Sequence, residues 1–165
     1  MKLAFRVLPF VLTFFAVFVS GRADGVLWFE AVHEGGGAQG VPGAVDAFFR
    51  ADNQNEIDRL AACLDEEAVW MPPTGEVVKG RRAISAWYRA RHLRWTPALS
   101  AAILDLHVDR SSAVVHGAAR GSMAPACGGP SIAVDDRFVM FLSRDVWDGW
   151  RVTRLYWKRG EREDT

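Results

Sequence analysis

Residues 65–84 read Asp65-Glu66-Glu67-Ala68-Val69-Trp70-Met71-Pro72-Pro73-Thr74-Gly75-Glu76-Val77-Val78-Lys79-Gly80-Arg81-Arg82-Ala83-Ile84. An acidic turn leads into a short apolar strand over 68–71. Pro72 and Pro73 stop it, because proline brings no N–H to a ladder, and Gly75 lets the chain turn. The run from Gly80 then opens a helix that reaches about Arg94, with Ile84, Trp87, Tyr88 and His92 at helical spacing.

Upstream of this stretch the pattern is helical. Pro42 suits the first turn of a helix, and Val45, Phe48 and Phe49 follow on one face. Asp52-Asn53-Gln54-Asn55 breaks it, and a second, short helix carries Ile57, Leu60, Ala61 and Leu64. Downstream, residues 99–109 alternate in polarity, Asp109-Arg110-Ser111-Ser112 turns, and 113–123 return. Strands are expected again over 132–143 and 150–158, around a Gly/Pro-rich loop holding Cys127 and a turn at 145–149. If Val108 faces Ala113 across the first turn, Asp105 lies opposite His116 and His107 opposite Val114. Helices followed by a meander of strands predict an α+β domain with the helices on one face of a curved antiparallel sheet.

The 165 residues suffice for one domain with a core; half are apolar and seven are Trp, which excludes a disordered chain. Lys2 and Arg6 precede an uncharged run from Val7 to Val19, followed by Ser20, Gly21 and Ala23. Thirteen residues of helix rise about 20 Å, short of the ~30 Å hydrocarbon core. The expectation is a secretory signal peptide over 1–23, with an uncleaved anchor as the alternative, and hence export to the periplasm or beyond. Its removal leaves 17 basic and 20 acidic residues, net −3. With no basic patch interleaved with aromatics, nucleic acid is not an expected partner, nor is a membrane once the leader is gone. Gly35-Gly36-Gly37 and Gly40 mark residues 24–41 as a linker with a loosely docked segment expected around Val26-Leu27-Trp28-Phe29; the domain proper spans 42–160 and a disordered tail 161–165. Cys63 and Cys127 either pair in an oxidising compartment or stay a buried and a loop thiol. No Cys/His spacing suits a metal, and no cofactor is expected.

The stretches Asp58-Arg59-Leu60, Asp65 through Trp70, Gly80 through Tyr88, and Asp148-Gly149-Trp150-Arg151-Val152 leading to Tyr156-Trp157 together resemble the SnoaL-like and ketosteroid-isomerase-like families of the nuclear transport factor 2-like superfamily. The resemblance implies a cone, a cystatin-like α+β barrel whose curved sheet wraps three N-terminal helices around one apolar pocket. Ketosteroid isomerases use a carboxylate base, a tyrosine and a protonated carboxylic acid. Matched to this chain, the base position falls on Pro72, the tyrosine on Phe48, and only Asp136 keeps its type.

The same matching turns His116, Ala118, Arg120 and Ser122 inward, with Asp136, Phe138 and Met140 on the next strand and Thr153, Leu155 and Trp157 on the last. Phe48, Trp70, Trp87 and Tyr88 would close the cone from the helical side. The expected ligand-binding set is therefore Phe48, Trp70, Trp87, Tyr88, Arg120, Phe138, Met140, Leu155 and Trp157. The candidate catalytic set is His116 as base, Asp105 as its orienter and Asp136 with Arg120 around an oxyanion. The lead expectation is an exported domain that binds a small, largely apolar ligand in the cone. The alternatives are an acid–base enzyme using His116, and a homodimeric interaction module, since relatives often pair through the outer sheet face.

Overall fold

A computed structural model of the chain describes residues 40–145 and 149–160. The expected leader, most of the linker with His33, part of the last turn and the 161–165 tail lie outside the described residues. Helix α1 is Val41–Asn53, with Pro42 in its first turn where no N–H is needed. Its buried face holds Val45, Phe48 and Phe49. Asn55 adopts φ 56, a left-handed turn that asparagine tolerates, and α2 (Ile57–Ala62) follows at once.

Strand β1 (Leu64–Met71) starts four residues before the expected position. Its ladder with the last strand shifts register between Leu64 and Val69, and this irregularity keeps Glu66 and Glu67 in water while Leu64, Ala68 and Trp70 are buried. After β2 (Val78–Lys79), Gly80 takes φ 86 and its N–H bonds the Ala68 carbonyl, which aims α3 (Arg81–His92) back across the sheet. Four long strands complete the domain: β3 (Trp95–Val108), β4 (Ser112–Pro125), β5 (Ile132–Asp145) and β6 (Gly149–Lys158).

The sheet order is β2-β1-β6-β5-β4-β3. Every neighbouring pair is antiparallel except β1 and β6, which run parallel; the all-antiparallel expectation is corrected there. The expected hairpin register holds, with Asp105 opposite His116, His107 opposite Val114 and Val108 opposite Ala113. A bulge between Ile103 and Asp105 shifts the phase of β3 on either side of it.

Directly paired residues share a face, so the core fixes which face is inner. Gly117, Phe138 and Trp157 lie in one inner row, and Val115, Met140 and Leu155 in the next. Gly117 is required: a Cβ there would overlap the Phe138 ring. Cys63 and Cys127 are both free thiols; Cys63 is half-buried at the start of β1, where burial pushes its thiol up, and Cys127 is exposed in the β4–β5 loop.

Candidate functional site

The aromatic residues expected to line a cone pocket fill it. Phe48, Trp70, Tyr88, Phe138, Met140 and Leu155 are each at most 2% exposed, and Trp157 is 9% exposed. Their rings pack on one another: Trp70 stacks on Tyr88 with centroids 5.8 Å apart and meets Trp87 and Trp157 edge-on. Phe49, buried on α1 and not among the expected residues, lies 5.3 Å from the Phe138 centroid and 5.7 Å from Trp157. Each such pair contributes about 0.5–1.5 kcal/mol beyond its burial. Trp87 is half-buried at the edge of this cluster. Pro72 and Phe48, at the positions where an isomerase needs a base and a hydroxyl, are buried and offer neither.

The catalytic candidates do not converge. His116, Arg120 and Asp105 are exposed on the outer face, against the expectation that His116 and Arg120 point inward. The reason is the β4–β5 ladder. His116 pairs with Val139 and Arg120 with Asp135, so the inward even-numbered residues of β5 require inward odd-numbered residues on β4. Asp105, although opposite His116, turns its carboxylate to the N–H of Leu106 at 3.0 Å. Arg120 donates to Asp135 at 3.1 Å, and Arg137 shares that carboxylate at 2.9 Å. Hydrogen bonds from Arg137 first and Arg120 second hold Asp135 below the usual carboxylate range.

Asp136 does face inward, as expected, but it is not the partner of Arg120. One oxygen accepts from Trp157 Nε1 at 2.9 Å, and the other from the Gly160 N–H at 3.0 Å. Both bonds go to an acceptor, so the carboxylate pins the indole and the chain after β6. Thr153, also expected inside, sits at a register shift and donates to the Phe141 carbonyl at 3.2 Å.

Sequence reasoning missed a buried ionic cluster between the ends of α1 and α3. Asp52 is 1% exposed; its Oδ1 accepts from Arg91 and lies 2.9 Å from His92 Nε2, and the His92 side chain is 4% exposed. The Arg91 guanidinium also lies over the Tyr88 ring, 4.7 Å from its centroid. Burial, with a further push from Asp52 and an opposing pull from Arg91, drives the Tyr88 hydroxyl far above the ordinary phenol value. The Tyr88 hydroxyl, Asp52 Oδ2 and Arg91 Nε are buried without a hydrogen-bond partner. The helical position of His92 signalled packing, but nothing local revealed that Asp52, in a turn-like run, would be its counterpart.

A second feature is an open groove of about 510 Å³ between α1 and β3. Val45, Phe49, Leu99, Ala101 and Ile103 supply its apolar lining, and Arg50 stands among its polar residues, in an ion pair with Asp46. Among the described residues no group of three or more His, Cys, Asp or Glu side chains could hold a metal ion.

A family model described as the SnoaL-like domain matches residues 45–154, more than half of the chain. The chain belongs to the SnoaL-like family. No curated protein matched it in a sequence comparison. Solved structures share the SnoaL-like fold at low identity. A ketosteroid isomerase-like protein from Erwinia carotovora atroseptica superposes with a TM-score of 0.68 at 16% identity, covering 74% of this chain and 95% of that one. A conserved protein from Planctomyces limnophilus gives 0.65 at 14% identity, covering 70% and 90%. A nuclear transport factor 2-like superfamily protein from Salmonella enterica Typhimurium gives 0.63 at 12%, covering 74% and 89%. At these identities the likeness carries the SnoaL-like fold alone.

Proposed function

We propose that this SnoaL-like domain holds a small, largely apolar molecule in the groove between α1 and β3, with an anionic end directed at Arg50, and that it does so without acid–base chemistry. The groove carries the reading: it has the size of a small-molecule site, and its lining sets Val45, Phe49, Leu99, Ala101 and Ile103 beside Asp46, Arg50, Asn53, Gln54 and Ser100. The conical interior, by contrast, is packed with rings. Acid–base chemistry by His116 with Asp105, Arg120 and Asp136 has no observation in its favour, because the first three lie across the sheet from the fourth. The test is titration with anilinonaphthalene sulfonate, which has an apolar body and one anionic end. Saturable binding that Ala101→Trp abolishes and Arg50→Gln weakens is the expected result. Equal binding by Ala101→Trp removes the groove from consideration.

A homodimer through the outer sheet face is a companion proposal. Val114, Val139, Phe141 and Tyr156 are only half-buried there, and Arg120, Arg137 and His116 rim them. An apolar centre with a charged rim suits a partner surface. Sedimentation of the wild type as a dimer and of Phe141→Arg as a monomer supports it; a monomeric wild type ends it. Export belongs to the same proposal and rests on Lys2, Arg6 and the uncharged run from Val7 to Val19. N-terminal sequencing of the secreted form tests it.

A further inference from the structure

One stretch of the chain is basic without any acid. Helix α3 and the two residues after it carry Arg81, Arg82, Arg89, Arg91, His92 and Arg94 and no acid. Three of these are committed: Arg81 Nε donates to the Leu64 carbonyl at 2.9 Å, and Arg91 and His92 both meet Asp52. Arg82, Arg89 and Arg94 are exposed and have no ion-pair partner among the described residues. Spacings of seven and four residues put Arg82, Arg89 and Leu93 along one stripe. Leu93 is 79% exposed, more than any other large hydrophobic residue described.

The β4–β5 loop extends this surface. It is tied to the end of α3 by a hydrogen bond from the Ala126 N–H to the Arg94 carbonyl at 2.9 Å. The stretch from Ala124 to Ser131 contains no charge, and residues 126–131 are exposed. The acid closest in sequence, Glu76, and the acidic run Asp65-Glu66-Glu67 of β1 both precede the opposite, N-terminal end of the helix, where the Gly80 N–H bonds the Ala68 carbonyl.

We propose that the outer stripe of α3 and its C-terminal end dock on an anionic lipid bilayer, Arg82, Arg89 and Arg94 meeting headgroup phosphates and Leu93 with the uncharged loop entering the interface. Unpaired arginines around an exposed apolar residue match such a surface, which is negative and has apolar material just beneath. An acidic peptide or a nucleic acid would use the arginines and leave Leu93 and the loop in water. The expectation of no membrane contact once the leader is gone did not weigh this local excess of arginine.

The experiment is sedimentation of the full chain with vesicles of phosphatidylcholine alone and of phosphatidylcholine with phosphatidylglycerol, at two salt concentrations. The N-terminal run partitions into both and its Lys2, Arg6 and Arg22 favour the anionic vesicles, so the surface is read from the difference between wild type and the α3 variants. The wild type is expected to prefer the anionic vesicles, less so at high salt. Replacing Arg82, Arg89 and Arg94 by Gln is expected to cut that preference on the order of 100-fold. Leu93→Ser should lower affinity for anionic vesicles roughly tenfold, and Arg110→Gln, in the β3–β4 turn, should change nothing. All the substituted side chains are exposed, and near-ultraviolet circular dichroism confirms folding. An undiminished preference in the triple variant overturns the proposal. So does a wild type that ignores vesicle charge, or one that instead retains an acidic peptide or duplex DNA through the same arginines.

Discussion

Asn53, the last residue of α1, pairs with both backbone groups of Leu99: Nδ2 donates to the carbonyl at 2.6 Å, and Oδ1 accepts from the N–H at 2.9 Å. The side-chain amide thus stands where a neighbouring strand would, on the free edge of β3. Edge strands with open N–H and C=O groups recruit other chains. Farther along the same strand, Asp105 covers the Leu106 N–H, and the bulge before it interrupts the edge. Asn53→Ala should cost about 2–3 kcal/mol, from two lost bonds to a residue 6% exposed. It should also raise the aggregation rate on warming. Urea denaturation and light scattering check both, and unchanged scattering would show that the amide does not guard the edge.

The cluster at Asp52 makes a separate prediction. Removing the carboxylate leaves Arg91 and His92 buried beside each other without a counter-charge. Asp52→Ala should therefore lose about 3–5 kcal/mol. Asp52→Asn, which still accepts a hydrogen bond, should lose less. A double-mutant cycle with His92→Ala reads the coupling directly; additive losses would mean that the 2.9 Å approach stabilises nothing.

Gly117 and Phe138 form a size-matched pair across β4 and β5. Gly117→Ala should destabilise by about 1–3 kcal/mol through overpacking. Adding Phe138→Leu should recover part of the loss. If the double variant is worse than the sum of the singles, the clash is not the cause.

Tyr88 supplies the pH dependence. Its folded value is raised, so its contribution is fully present below the ordinary phenol value of 10.0 and is lost as pH rises beyond it. Stability should therefore fall in alkali, and phenolate absorbance from Tyr88 should appear only with unfolding. Tyr88→Phe deletes a hydroxyl buried without a partner. It should be about 1 kcal/mol more stable at neutral pH, and its alkaline limb should be shallower. A Tyr88 that titrates in the folded protein near 10 contradicts its burial.

Much of the fold was legible because each signal was local. Pro42, the Pro72-Pro73 stop, Gly80 and the 109–112 turn each fixed an element or a register by their own chemistry. The inward face of β4 was not legible. Ala113, Gly117, Ala118 and Ala119 place small residues on both sides, so hydrophobic alternation carries no phase there. The polar residues His116 and Arg120 then drew the site inward, whereas the small side chains are inside to admit Phe138 and its neighbours. Long-range partners such as Asp52 with His92 and Asn53 with Leu99 depend on tertiary placement and leave no mark in spacing.

The parallel join of β1 to β6 has a consequence for how the chain reaches its native state. Strand β6, the last of the described strands in chain order, lies between β1 and β5. Residues 64–71 cannot take their places beside it until residues 149–158 have left the ribosome. Completion of the sheet must therefore wait for β6 and close a loop of most of the domain, a slow, non-local step. Loss of β6 would leave the helices and the meander without a common sheet.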